Sequence, residues 1–388
     1  MSGTGKIRVL QTIRQGLIGG GETHVLSLTG QLDRSRFEPV VLSFTDGPMI
    51  DQLREAGVEH YVIPTLKAFD LRQWKKIGSL LAEKNIDIVH AHGSRAASNL
   101  FFPARKQKIP LLYTIHGWSF HNDQSLFVKR LRVLSEQFLT ANMQRNISVS
   151  ASNFETGREH FRNFRSTVIN NGIDLQKFSP ANAYKNIRQK LDIPASHILI
   201  GFVARMTAQK DPLTMISGFA KAAAQREDIT LLMVGEGELQ AEARQLAERL
   251  GIAHRIVFQP FRQDVPDLLH ATDIYCLPSL WEGMPIGLLE AMAMHNAVIV
   301  TNVDGSKEII RDRENGCMTE AKNEAMLAGT ILELAADGTL RNRLATAARA
   351  TVQEHYSVEF MTRQVEQIYE DVFRTEGKRL ISQLSVQS

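Results

Sequence analysis

The feature that most limits what this chain can fold into is a short apolar strand that runs into a glycine-rich turn and then into a helical pattern. Ile7-Arg8-Val9-Leu10-Gln11-Thr12-Ile13 is followed by Gly16, by Gly19-Gly20-Gly21 and by a periodic segment over residues 22–32. Strand, glycine turn and helix open a βαβ unit. Further strand patterns fall at residues 39–44, 59–63, 86–90, 110–115 and 146–149, with helical patterns such as 71–84 between most of them. This alternation predicts a parallel sheet covered by helices. After a polar stretch around Ser179-Pro180 the device starts again with a strand at 198–203, and strands at 230–234, 255–258, 274–277 and 297–301 follow.

Two α/β domains are therefore expected, residues 1–180 and 181–356. A helical tail from 357 is long enough, at about 1.5 Å per residue, to return to the first domain. Length agrees, since 388 residues exceed what one core of ~150 residues organises. With 43% hydrophobic and 22% charged residues, the composition excludes collagen, coiled coil and global disorder. No apolar run approaches the roughly 20 residues of a membrane span, and the first residues hold no apolar stretch like a signal peptide. The chain reads as cytoplasmic. Cys276 and Cys317 stand in no metal-ligand spacing and read as free thiols.

Net charge is only +3, but it is unevenly placed: residues 1–180 hold 23 Lys and Arg against 15 Asp and Glu. Within residues 93–134, Arg95, Arg105, Lys106, Lys108, Lys129, Arg130 and Arg132 face Asp123 alone. That marks a basic face. Residues 125–134 also carry leucines and valines at helical spacing between the cations. Two readings stand: an amphipathic helix on an anionic membrane where lipid-linked acceptors reside, or a core-facing helix with solvated lysines.

Chemistry is most visible in Glu282-Gly283-Met284-Pro285-Ile286-Gly287-Leu288-Leu289-Glu290, after the strand at 274–277. A turn of Gly283 and Pro285 ahead of a helix would place main-chain N–H groups at the sheet's carboxyl edge, where a diphosphate is held. Glu282 and Glu290 gain nothing from phosphate and suit sugar or ribose hydroxyls; the alternative is that both are helix-start carboxylates favoured by the dipole. Arg205 and Lys210 emerge after the strand at 198–203. They suit a diphosphate leaving group, with a solvated loop pair as the alternative. Gly235-Glu236-Gly237 forms another turn at this edge. His24, His90, His92, His116 and His121 are spaced for no metal-ligand set, so no metal is expected and hydrogen bonding to an acceptor is.

Taken together, Gly19-Gly20-Gly21-Glu22, Thr114-Ile115-His116-Gly117, Asn171-Gly172-Ile173-Asp174, Arg205 to Lys210, Val234-Gly235-Glu236-Gly237 and the stretch from Glu282 to Glu290 resemble the retaining glycosyltransferases of family four. The resemblance implies the GT-B fold, two Rossmann-like domains with parallel sheets facing a central cleft and a C-terminal helix that crosses back to the first. It implies catalytic roles for His116, Arg205, Lys210 and Glu282, with His116 facing the transferred sugar. Donor contacts would come from Gly19, Gly20, Gly21, Arg205, Lys210, Gly235, Glu282, Gly283, Met284, Pro285, Ile286, Gly287 and Glu290. Glu282 would hold the sugar, Glu290 the ribose, and Arg205 with Lys210 the diphosphate.

Residues 257–262, with Phe261, are expected at the base. The donor is expected to be a UDP-sugar, the acceptor a glycan or lipid-linked sugar, and the enzyme peripheral on the inner membrane face, with no cofactor and no nucleic-acid partner. Ala204, Asp211, Asn170 and the segment Asp304-Gly305-Ser306-Lys307-Glu308 depart from the usual pattern. Asp304 and Lys307 bear on donor identity. Rival readings are an epimerase or phosphorylase of the same architecture, a dinucleotide-dependent oxidoreductase, and a non-catalytic carbohydrate-binding protein.

Overall fold

The computed structural model describes residues 5–120 and 124–385, with side chains to residue 375. The chain divides into two compact units, residues 1–172 with 358–388, and residues 173–357. The expected boundary near 180 moves back to Gly172, because Ile173 N–H donates to Tyr356 O and ties that residue to the second unit.

In the first unit the order is β1 (Ile7–Ile13), α1 (Gly20–Gln31), β2 (Phe37–Ser43), α2 (Pro48–Glu55), β3 (Glu59–Val62) and α3 (Trp74–Glu83). Next come β4 (Ile88–His92), α4 (Ser94–Lys106), β5 (Leu111–Ile115), α5 (Leu126–Asn142), β6 (Arg145–Ser148), α6 (Ala151–His160) and the two-residue β7 (Thr167–Val168). The sheet order is β3-β2-β1-β4-β5-β6-β7, with every pairing parallel. Chain order reverses between β1 and β4, so their carboxyl ends open the crevice where such sheets bind ligands.

The second unit holds α7 (Ile187–Lys190), β8 (Ile198–Val203), α8 (Pro212–Ala223), β9 (Ile229–Val234), α9 (Gln240–Arg249), β10 (Ile256–Gln259) and α10 (Val265–Ala271). It continues with β11 (Ile274–Leu277), α11 (Ile286–Ala293), β12 (Ala297–Thr301), α12 (Asp304–Ile309), β13 (Cys317–Thr319), α13 (Glu324–Ala336) and α14 (Gly338–His355). Its sheet order is β10-β9-β8-β11-β12-β13, again parallel, with the reversal between β8 and β11.

The tail forms α15 (Val358–Ser385) and belongs to the first unit. Val358, Met361, Val365, Tyr369 and Val372 recur at three- and four-residue steps and pack on Val9, Leu28, Phe37 and Ile88. Tyr369 reaches the polar interior of the sheet, where its hydroxyl meets Gln11 and His90. Both cysteines are buried free thiols, and burial pushes Cys317 up to about 11. Among the described residues no helix is long and apolar enough to cross a membrane.

Candidate functional site

In the second unit the reversal between β8 and β11 brings together two loops that are about seventy residues apart in sequence. The loop after β8 carries Arg205 and Lys210, and the loop after β11 carries Ser279 and Glu282. The Lys210 ammonium pairs with Glu282 Oε1, which also accepts from Ser279 Oγ at 2.6 Å, and the backbone of Leu280 donates to Gln209 O at 2.8 Å. Glu282 is buried, so the ion pair and the serine are what permit its charge there. Arg205, on the same loop as Lys210, is exposed and forms no ion pair among the described residues.

Lys210 is followed by Asp211, one of the departures from the family pattern. Its φ of 48° is left-handed, and its carboxylate caps α8 by accepting from Thr214 N–H at 3.2 Å and Thr214 Oγ1 at 2.7 Å. The turn that aims Lys210 is therefore held by Asp211 itself.

Helix α11 begins at Ile286 with Pro285 as its N-cap residue. Glu290 thus sits in the second turn, beyond the reach of the helix-start explanation, while its neighbours Leu288 and Leu289 are buried. Burial pushes the Glu290 carboxyl up to about 7, and nearby Lys177 draws it partly back. Such a carboxyl gives up its proton when hydroxyl donors reach it.

Met284, Pro285 and Ile286 are buried, and the first N–H groups of α11 have no partner within the helix. Gly287 has a packing reason as well: a Cβ there would come within 2.9 Å of Tyr275 Oη. Gly305 at the start of α12 presses on Gly283, since a Cβ would collide with Gly283 O. The neighbouring Asp304 and Lys307 are exposed and pair with each other at 3.7 Å.

Gly235 adopts φ 137°, and any side chain on it would strike Ala204 O just before Arg205. Its N–H donates to Gln259 O at 3.1 Å, which places residues 257–262 alongside this turn. Phe261 is partly exposed there, and Arg262 is held by Asp264 at 2.8 Å.

In the first unit the corresponding strand ends gather histidines. Gly19 is the N-cap residue of α1, and Gly21 lies against His116, where a Cβ would be 3.7 Å from His116 Cδ2. The spacing argument kept His90 and His92 apart from His116; the fold does not. Strands β4 and β5 are neighbours with His92 opposite Thr114, so His116 arrives beside His92.

The hydrogen bonds set the protons. Gln11 Nε2 donates to Tyr369 Oη at 2.8 Å, so Gln11 Oε1 accepts from His92 Nε2 at 2.8 Å. His92 Nδ1 is then an acceptor and accepts a hydrogen bond from His116 Nε2–H at 3.1 Å. His24 Nδ1 meets Asn171 Oδ1 at 2.8 Å, while its buried Nε2 has no partner. Burial lowers all of these imidazoles, His24 to about 4, His90 to about 3, and His92 and His116 well below their usual value. The group is neutral.

One ring nitrogen from each of His24, His92 and His116 lies within 4.8 Å of the others, a donor set that a metal ion could use after the bond between His92 and His116 opens. His121 lies outside the described residues. Sequence reasoning missed Ser279, Gln11 and Lys177. Ser279 alone left a signal, as a polar residue just past a strand end and three before Glu282.

Comparison with known proteins follows the same division. Residues 18–177 match the family model for glycosyltransferase family 4, and residues 183–351 match that for glycosyl transferases group 1. The UDP-Gal:alpha-D-GlcNAc-diphosphoundecaprenol alpha-1,3-galactosyltransferase of Escherichia coli is 25% identical over 95% of this chain and 97% of its own. The N-acetyl-alpha-D-glucosaminyl L-malate synthase of Bacillus anthracis is 26% identical over 82% of this chain and 84% of its own. Among solved structures, Anabaena HepE in complex with UDP and glucose superimposes with a TM-score of 0.84, at 21% identity, over 94% of this chain and all of that one. The dinucleotide-dependent oxidoreductase is thereby set aside. The chain belongs to the group 1 glycosyltransferases and has the GT-B fold.

Proposed function

We propose that the protein transfers a sugar, with retention at the anomeric carbon, from a UDP-sugar to a glycan or lipid-linked acceptor in the synthesis of cell-surface polysaccharide or glycolipid. The observation that carries this reading is the Lys210–Glu282 pair at the β8/β11 edge, with exposed Arg205 on the same loop as Lys210 and α11 starting four residues after Glu282. The E. coli relative is named for a UDP donor and a lipid diphosphate acceptor, and the HepE structure holds UDP and glucose; both support the same choice here.

In this reading the second unit binds the donor. Arg205, Lys210 and the first N–H groups of α11 take the diphosphate, Glu282 the sugar hydroxyls and Glu290 the ribose, with the base near Phe261 and Gly235. The anomeric C–O bond to the diphosphate breaks, the bond to the acceptor oxygen forms on the same face, and the acceptor proton passes to the departing phosphate oxygen. Negative charge grows on the diphosphate as this happens, so fixed cations lower the barrier most there. The first unit offers neutral imidazoles, chiefly His116, as hydrogen-bond partners for sugar hydroxyls, with the Gly19–Gly21 turn beside them. A lipid-linked acceptor puts the enzyme on the cytoplasmic face of a membrane. No metal or other cofactor enters the scheme, because the cations come from the chain.

A thermal-shift screen of UDP-, GDP- and ADP-sugars tests the donor. At one hundred times its dissociation constant the right one stabilises the fold by about 2.7 kcal/mol. A shift with GDP-mannose alone overturns the UDP assignment. Chelator-treated enzyme should keep its turnover; a loss restored by one divalent ion would overturn the metal-free scheme.

A further inference from the structure

Helix α5 is inverted relative to an ordinary surface helix. Its inward side holds a carboxylate: buried Glu136 accepts from Tyr113 Oη at 2.9 Å and from Ser119 N–H at 3.3 Å, next to buried Leu139 and Thr140. These bonds fix the rotation of the helix. The outward side consequently presents Leu126, Phe127, Val128, Leu131, Leu134 and Phe138, with Leu126 86% and Phe127 73% exposed. Phe127, Leu131, Leu134 and Phe138 recur at steps of four, three and four, which aligns them in one stripe.

The reading of this segment as a core-facing helix with solvated lysines accounts only for Val133, which packs against the core, while Leu126, Phe127, Val128, Leu131 and Leu134 are turned outward. An amphipathic helix with apolar groups facing solvent needs something to cover them.

The stripe is part of a wider surface. Phe138 contacts the rings of Phe69 at 6.2 Å and Phe101 at 5.0 Å, and on α4 the exposed Phe102 stacks near Trp74 at 4.5 Å. Leu66 and Leu71, on either side of Phe69, are exposed as well. Cations edge this surface: the Arg105 guanidinium lies 5.7 Å from the Phe101 ring, Lys106 and Lys108 follow it at the end of α4, and Arg130 is exposed on α5. No described acidic side chain of residues 93–134 opposes them, since the single carboxylate in that stretch is Asp123, outside the described residues.

We infer that α5, with Phe102 and the Leu66–Leu71 turn, is the surface on which the first unit docks onto an anionic lipid bilayer, the apolar stripe entering the acyl boundary and the flanking cations meeting headgroup phosphates. Apolar groups and cations side by side match the two layers of a membrane interface, whereas a second copy of this chain would bring the same cations against one another. The inference rests on the reading of the acceptor as lipid-linked and names where the enzyme meets that lipid.

Vesicle flotation with the full chain tests it. Wild type should float with vesicles containing about a third phosphatidylglycerol and far less with pure phosphatidylcholine, and the difference should shrink with salt. Phe127→Glu with Leu131→Glu should abolish flotation with both. Arg130→Gln and Arg105→Gln should each weaken partitioning to anionic vesicles about fivefold. Wild type that stays in the pellet with anionic vesicles, glutamate variants that float as wild type does, or a wild-type dimer in solution that Leu131→Glu splits would each overturn the inference. The thermal shift with UDP is measured on the same samples. If that shift persists while flotation fails, the docking surface falls and the donor reading stands; the converse result fells the donor reading alone.

Discussion

The two units share one architecture and reach their strand ends with opposite electrical solutions. At the edge of β1, β4 and β5 the first unit gathers His24, His92 and His116, all held neutral by burial. At the edge of β8 and β11 the second unit keeps full charges, an ion pair between Lys210 and Glu282 and an exposed Arg205. The difference teaches that the fold supplies only the place, a crevice at a reversal of strand order, while the loops decide its chemistry. Neutral imidazoles suit hydroxyls, which need direction without charge. Fixed cations suit a diphosphate whose charge grows during reaction.

The sharpest way to break that contrast is to remove the cations. Arg205→Ala and Lys210→Ala should each lower turnover by at least ~100-fold, the range expected for loss of one preorganised charge donor. Their stabilities should part company. Arg205 is exposed and has no ion pair among the described residues, so its loss should leave the melting temperature nearly unchanged. Lys210→Ala strands Glu282 as a buried charge, which costs about 3–5 kcal/mol. Adding Glu282→Gln to Lys210→Ala should recover most of that stability and none of the turnover. Equal melting temperatures for the two alanine variants would mean that the ion pair contributes nothing to the fold.

A smaller effect separates the glutamates. Glu282→Gln should depress turnover and spare binding of bare UDP, whereas Glu290→Gln should weaken UDP itself, since a ribose contact is made equally before and during reaction. The carboxyl of Glu290, raised to about 7 by burial, adds a pH signature. Ribose hydroxyls donate to the ionised form, so UDP affinity should fall by up to about tenfold per unit as pH drops below 7. Calorimetry across pH 5.5–8 checks this, and Glu290→Gln should flatten the profile. A wild-type profile already flat would remove the ribose from Glu290.

The strand framework was legible because each strand is a short β-branched run with a turn residue at its end; β1, β8, β11 and β12 have the bounds the pattern suggests. Strands β7 and β13, of two and three residues, carry too little pattern to be seen. The separate site residues were legible as charges at strand ends. Their partnerships were not, for Lys210 meets Glu282, His92 meets His116 and His24 meets Asn171 only through adjacency of strands or loops remote in sequence. Burial polarity was also hidden. Glu136 reads as one more solvated helix carboxylate, and its placement inside is what turns Leu131 and Leu134 of α5 outward.

The comparison between units makes one further prediction, the mildest near neutral pH: their stabilities should tilt in opposite directions with pH. His24 ionises at about 4 in the folded first unit against 6.5 unfolded, and His92 and His116 are lowered in the same sense. The unfolded chain therefore binds more protons below 6.5, and the stability these neutral imidazoles contribute is present above 6.5 and lost as pH falls towards 4. Glu290 runs the other way. Its folded value near 7 exceeds the unfolded 4.5, so its contribution is complete below 4.5 and is lost as pH rises through 7. Hydrogen exchange resolves the two, with amides of β4 and β5 reporting the first unit and those of β11 and β12 the second. Between pH 7 and 5 protection should weaken in the first set and strengthen in the second. Protection that changes in parallel in both sets would show that the histidines protonate without cost to the fold, and the electrical contrast between the units would then be confined to the second unit's ion pair.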